Sequence, residues 1–286
     1  MTQFSYKDPL EREIYLLKKN DQLSEIVVSL FKESYKIEKD SFKIGVLGDL
    51  HGHITKGLEK MQKWEKFSNQ KLDAIVQIGD LGVFNEHTAL DKTTLELSEK
   101  DPDELGFKDY YLQSNKADHF FGNKGVLKNT PFYFCLGNHD DPEVMEYTNQ
   151  PCFYKNIKFM PNGELIKLIK KKKSINIGAL GHNHASNNIN KLSREKLDIL
   201  LTHQPPKSLI NPRGDRKTGD FINNFSPTYT FFGHIHTGVF DITFPYSNLF
   251  GLAELSNDEN KSKGSSGILY ISPEKKSQFI YLPDLI

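Results

Sequence analysis

The sequence predicts an α/β protein. The runs Lys43–Leu47 and Ala74–Ile78 are short, apolar and without polar alternation, which reads as buried strand. Between them Ile54–Phe67 places Leu58, Met61 and Trp64 on one stripe, the pattern of a helix packing its apolar face. Strand, helix, strand at this spacing is a βαβ unit with a parallel pair and a right-handed crossover. Each strand also ends in glycine followed by a side chain of ligand type: Gly48-Asp49-Leu50-His51 after the first, Gly79-Asp80 after the second.

Composition bounds the rest. The chain has 286 residues, with 37 Lys and Arg against 37 Asp and Glu, so its formal net charge is zero. A neutral chain has no global pull toward nucleic acid or membrane, and extended nucleic-acid binding gets no support from charge. The two cysteines, Cys135 and Cys152, form no disulfide framework or thiolate zinc site, and Cys135 in its apolar run reads as a buried free thiol. The N-terminus lacks a signal-type apolar core and no 18-residue apolar run occurs. The expectation is a cytoplasmic protein that makes no use of a membrane.

In order along the chain, residues 1–42 form a helical extension ahead of the main domain at 43–286. Leu23, Ile26, Val27, Leu30 and Phe31 have helical spacing and read as a helix packed outside that domain. Residues 83–130 are too long for a plain loop and should carry helices. Their charge run Lys92–Asp103 reads as a solvated face, and a cap insertion over a site is the sharper alternative. Pro131–Leu136 is a third buried strand ending in Gly137-Asn138-His139-Asp140, and Asp141-Pro142 opens a short helix. Ile157–Met160, Glu164–Ile169 and Ser174–Leu180 read as strands, with Lys170–Lys173 an exposed hairpin turn. His182 and His184 follow as a turn, exposed by default, and Asn190–Lys196 as a helix. Leu197–Leu201 is a strand ending in His203. Residues 207–226 read as a loop, and Tyr229–Phe232 as a strand ending in Gly233-His234-Ile235-His236. The tail is β-rich.

Five strands thus end in Asp, Asn or His, and in open α/β sheets sites form beyond the carboxyl ends of strands, so ends of one sheet can meet there. Asp49 and His51 lie two residues apart and share a face. Any one strand end is weak evidence, but five in this order are specific.

The set Gly48-Asp49-x-His51, Gly79-Asp80, Gly137-Asn138-His139-Asp140, His203 and Gly233-His234-x-His236 resembles the calcineurin-like metallophosphoesterases over about residues 43–240. The resemblance implies a sandwich of two mixed β-sheets flanked by α-helices, holding two metal ions. It implies that Asp49, His51 and His236 bind one ion, that Asn138, His203 and His234 bind the other, and that Asp80 bridges them. His139 then faces the substrate as general acid, and hydroxide held between the ions attacks phosphorus in line with the leaving oxygen. An all-N/O donor set favours Mn²⁺, with Fe, Zn²⁺ and Ni²⁺ as alternatives.

The substrate follows from a departure. Protein phosphatases of the family carry Arg after the second Gly-Asp and Glu after Asn-His, where this chain has Leu81-Gly82 and Asp140. A dianionic monoester benefits from such an Arg clamp, so the expectation is a phosphodiester of nucleotide or nucleic-acid type. A phosphomonoester is the alternative if Arg213 or Arg216 grips the substrate. A family member serving only as a scaffold would have lost ligands or His139, and all are present.

Overall fold

The computed structural model describes residues 40–146, 154–207, 214–236, 240–243, 247–257, 262–272 and 277–282. The expected helix at 23–31, Cys152 and Arg213 lie outside them. The first half contains β1 (Phe42–Leu47), α1 (Ile54–Ser68), β2 (Ala74–Gln77), α2 (Lys92–Lys100), a 3-10 turn at Pro102–Leu105, α3 (Lys108–Tyr111), α4 (Asn115–Phe121) and β3 (Phe132–Phe134). Then come α5 (Pro142–Glu146), β4 (Ile157–Phe159), β5 (Leu165–Lys170), β6 (Lys173–Leu180), α6 (Ser186–Leu192), β7 (Ile199–Thr202) and α7 (Arg216–Phe225). Five strands close the described chain: β8 (Tyr229–Phe232), β9 (Phe240–Thr243), β10 (Asn248–Gly251), β11 (Ser266–Ile271) and β12 (Ser277–Tyr281).

These strands make two six-stranded mixed sheets, in the orders β12-β11-β1-β2-β3-β4 and β5-β6-β7-β8-β10-β9. β1, β2, β3 and β4 run parallel, as do β6, β7 and β8, while β11 and β5 join antiparallel. Strand alternation sorts the core into layers. Ile44, Val46 and Val76 of the first sheet meet Ile177, Ala179, Leu201 and Phe231 of the second in one buried cluster. The other face of the first sheet carries Leu47, Ile75 and Phe134 against Leu58, Met61 and Trp64 of α1 and Phe107 and Phe120 of the 83–130 segment. The outer face of the second sheet packs Leu180, Leu200 and Phe232 on Phe221 and Ile222 of α7. Each such side chain fully buried is worth about 1.5–3 kcal/mol, so both outer layers are held by their apolar stripes. No helix among the described residues is long and apolar enough to cross a membrane.

Three expectations change. The ligand-bearing strand ends come from both sheets rather than one. The segment 207–226 is not all loop, because α7 runs through it with Asp215 accepting from the Thr218 N–H at 2.6 Å as N-cap. The helix expected at Asn190–Lys196 sits earlier, because the Asn188 side chain accepts from the Ala185 N–H at 2.8 Å and starts it at Ser186. Other elements fall within a few residues of expectation. Residues 83–130 do carry helices, and Lys170–Lys173 is the β5–β6 hairpin turn, with Lys171 at φ +55°.

Candidate metal centre

The carboxyl ends of β1, β2, β3, β6, β7 and β8 converge. Leu50 and His51 donate their N–H groups to the Asp80 carbonyl at 2.9 and 2.8 Å, so the exit from β1 wraps onto the exit from β2. The two sheets are stitched here as well. The His234 N–H donates to Asp49 Oδ2 at 2.7 Å, and the His182 N–H to the Leu136 carbonyl at 2.8 Å. His51, Asp80, His234 and His236 all have positive φ, at 42°, 52°, 70° and 56°. Such conformations cost of order 1–3 kcal/mol for residues with a Cβ and cluster at functional sites.

Two groups of donor atoms result, each within a 4.8 Å span: Asp49, His51, Asp80 and His236, and Asp80, His203 and His234. Asp80 belongs to both. His236 Nε2 lies 3.1 Å from Asp49 Oδ2 and 3.4 Å from His51 Nε2, and His203 Nε2 lies 3.3 Å from Asp80 Oδ2. Asn138 Oδ1 sits 2.7 Å from His203 Nε2, which brings it to the second group. In three imidazoles the other nitrogen is engaged from behind. His51 Nδ1 faces Glu104 at 3.1 Å, His236 Nδ1 faces Glu254 at 2.8 Å, and His203 Nδ1 faces the Ile78 carbonyl at 3.3 Å. Their Nε2 atoms therefore turn inward, the arrangement that outer-shell partners impose on metal-binding histidines.

Two further facts test the fit to divalent cations. Asp49 Oδ1 and Asp80 Oδ2 are buried and accept no hydrogen bond of proper geometry. A buried carboxylate left so is costly unless a cation meets it. The glycines clear space for these carboxylates: a Cβ on Gly137 would come within 2.0 Å of Asp80 Oδ1, and one on Gly233 within 2.0 Å of Asp49 Oδ1. The residues present fit a pair of cations.

Electrostatics say the same in the metal-free state. Burial works to lower the His203 pKa, but Asp80 and Asp49 outweigh it and push it up to about 9. Burial likewise opposes protonation of His236, and Asp49 and Glu254 push it up to about 10. Burial would raise the Asp80 pKa, yet His203 and His51 hold it well below the usual carboxylate range.

The sequence reading missed Glu104 and Glu254, which lie 53 and 18 residues from the imidazoles they face. It also gave Asp140 no task. That carboxylate accepts from the N–H groups of Leu81, Gly82, Val83 and Gly137 at 2.7–3.2 Å, tying the β2 exit to the β3 exit. His184 is not an exposed turn residue. It is buried, with Nε2 3.2 Å from Asp215 Oδ2, because β6 ends against the start of α7. His53 is buried too, and its nitrogens lie 3.1 and 3.8 Å from carboxylate oxygens of Asp101 and Asp103, pinning the 3-10 turn that carries Glu104. Arg216 has an 83 % exposed side chain paired with Asp220 at 3.6 Å, and lines none of the clefts at the centre.

His139 donates its N–H to Asp80 Oδ1 at 2.7 Å, and its ring lies 5.4 Å from that of His51. It lines a cleft of about 450 Å³ together with His51, His236, Lys100 and Glu254. A larger cleft of about 750 Å³ opens beside Asn138 and His182.

The chain belongs to the calcineurin-like phosphoesterase family, whose model matches residues 42–238. Among solved structures it is similar to TT1561 of Thermus thermophilus, at 13 % identity and TM-score 0.50, covering 84 % of this chain and 99 % of that one. It is also similar to GAP50, the anchor in the inner membrane complex of Plasmodium, at 14 % identity and TM-score 0.50, covering 85 % of each chain. At such identities the likeness shows the fold alone. No curated sequence matches the chain.

Proposed function

We propose that this protein is a dinuclear metal phosphodiesterase acting on a substrate of nucleotide or nucleic-acid type. The supporting observation is the pair of clefts. One opens on the side of Asn138 and His182, the other on the side of His51 and His236. A diester has an organic group on each side of phosphorus and needs both. Lys100 is the one lysine or arginine lining them among the described residues, and no arginine stands beside Asp80. A singly charged diester needs no clamp beyond the metals.

In this reading Asp49, His51, Asp80 and His236 hold one ion, and Asp80, Asn138, His203 and His234 the other. Mn²⁺ is the ion we favour for this mixed carboxylate, carboxamide and imidazole set. When bound, such ions neutralise phosphoryl charge and lower the pKa of water toward neutrality. The chain's own residues supply the rest. Glu104 and Glu254 fix the imidazoles of His51 and His236. His139, in the cleft with Lys100, donates a proton to the departing oxygen. The catalytic unit spans 43–286, with 83–130 as an insertion whose 3-10 turn reaches the centre through Glu104. A cytoplasmic setting suits the buried free thiol of Cys135.

The monoesterase reading has one observation in its favour, Lys100 in the cleft of His139, which could meet a second phosphate charge. A paired assay separates the two: diester and monoester p-nitrophenyl panels with Mn²⁺ in one buffer. Diester turnover with little monoester turnover is the expected result, and monoester preference overturns it. No turnover with Mn²⁺, Zn²⁺ or Ni²⁺ would leave a scaffold. His139→Ala should retain metal while losing about 10²–10⁴ in rate on esters with poor leaving groups. Wild-type rates on such esters would remove His139 from the acid role.

A further inference from the structure

The larger cleft has a lining that hydrolysis alone does not require. Its volume of about 750 Å³ falls in the ~300–1,000 Å³ range usual for small-ligand pockets. Among the described residues its lining has no Lys or Arg, and the one carboxylate, Asp140, is committed to backbone N–H groups. The cleft is therefore built for something uncharged. Its apolar side comes from Met145 and Phe159, above the core residue Met160, and its polar side from His182, Asn162, Asn183 and Asn188.

The polar side is held in place. Asn188 Nδ2 donates to the Asn162 carbonyl at 2.7 Å, and Asn162 Nδ2 donates to the His182 carbonyl at 3.0 Å. Asn162 Oδ1 lies beside Gly181, 3.3 Å from where a Cβ there would sit. His182 is fixed by its N–H bond to Leu136, its ring lies 6.5 Å from that of His203, and its Nδ1 is buried with no partner among the described residues. The cleft thus begins at the metal centre and offers both donors and acceptors beside an aromatic ring and a thioether.

A lipid chain would not want the carboxamides, and a second phosphate would want a cation. A planar heterocycle with an amide-like edge suits both surfaces: carboxamides match its donors and acceptors, and Phe159 and Met145 pack on its face. We propose that this cleft seats the base of a nucleotide-type substrate. The protein then reads one base beside the scissile phosphate, rather than tracking a strand, which would need a positive groove. The proposal rests on the phosphodiesterase reading above.

Two measurements test it on the full chain, wild type against Phe159→Ala and His182→Ala, with retained unfolding midpoint as the folding control. The first compares thymidine 5′-(p-nitrophenyl phosphate) with methyl p-nitrophenyl phosphate, which share a leaving group. We expect kcat/KM to favour the nucleoside ester by about tenfold or more in the wild type, and each variant to lose most of that ratio. The second needs no turnover: saturation-transfer NMR of the Zn²⁺-loaded protein with the five common nucleosides, expected to show contact in the wild type that His182→Ala removes. A ratio near one without nucleoside contact overturns the base cleft and leaves the diesterase reading standing. A ratio or contact untouched by both variants also overturns it. Nucleoside contact that depends on His182, without hydrolysis of either ester, supports the cleft and sinks the diesterase reading instead.

Discussion

Glu104 and His51 show what a single carboxylate does at this centre. The Glu104 carboxylate is buried and faces His51 Nδ1 at 3.1 Å, so it fixes both the ring angle and the tautomer that leaves Nε2 free for an ion. Glu104→Gln keeps the shape and removes the charge. The expected result is metal affinity weaker by about 10–100-fold, read by competition with a chelator; unchanged affinity would show that the ring is set by packing alone. The ligand residues themselves were legible in the sequence, because Asp49, His51, Asp80, Asn138, His203, His234 and His236 each follow a buried strand directly. Glu104 and Glu254 were not. They sit in segments with no strand pattern to announce them, and only the fold brings them behind the imidazoles. Asp80 carries more than any other single residue, since it belongs to both donor groups. Asp80→Ala should take bound metal from two ions per chain to none, measured by elemental analysis of the purified protein. Retention of one ion would mean that the groups load independently.

At the scale of elements, α7 shows why part of the fold was hidden. Its sequence contains Gly219, and Gly214 stands just before it, which reads as loop. The glycine is needed for contact: a Cβ on Gly219 would come within 2.6 Å of the Lys207 carbonyl. The segment is helical because Asp215 caps it and Phe221 and Ile222 bury against the second sheet. Asp215 also faces His184, so one carboxylate joins the start of α7 to the end of β6. Burial works to raise its pKa, but the bonds from His184 and Thr218 outweigh that and hold it well below the ordinary range. A carboxyl with a depressed folded pKa stabilises above its unfolded value, ~3.9, and loses that contribution as pH falls toward the folded value. Asp215→Asn keeps a capping oxygen but loses the charge, and should cost about 1 kcal/mol at pH 7, with a smaller difference in urea midpoint at pH 3. An equal cost at both would mean that the cap geometry, not the charge, is what matters.

For the whole molecule, the parallel strands of both sheets deliver their carboxyl ends to one place, and the fold concentrates charge there. Without metal, the carboxylates keep His203 and His236 protonated up to about pH 9 and 10. Both values lie above the ~6.5 of an unfolded histidine, so the folded state holds these protons more tightly. The sign follows: their contribution to stability is complete below pH 6.5 and disappears as pH rises through 9 and 10. The chelated protein should accordingly show a falling urea midpoint from pH 6.5 to 10. A cation at the centre must displace the same protons, so binding at pH 7 should release them and the apparent affinity should climb with pH. Titration calorimetry reads this directly, because the apparent enthalpy of Mn²⁺ or Zn²⁺ binding then depends on the ionisation enthalpy of the buffer. Equal enthalpies in phosphate-free buffers of widely different ionisation heat would show that no proton leaves, and that the imidazoles were neutral before the metal arrived.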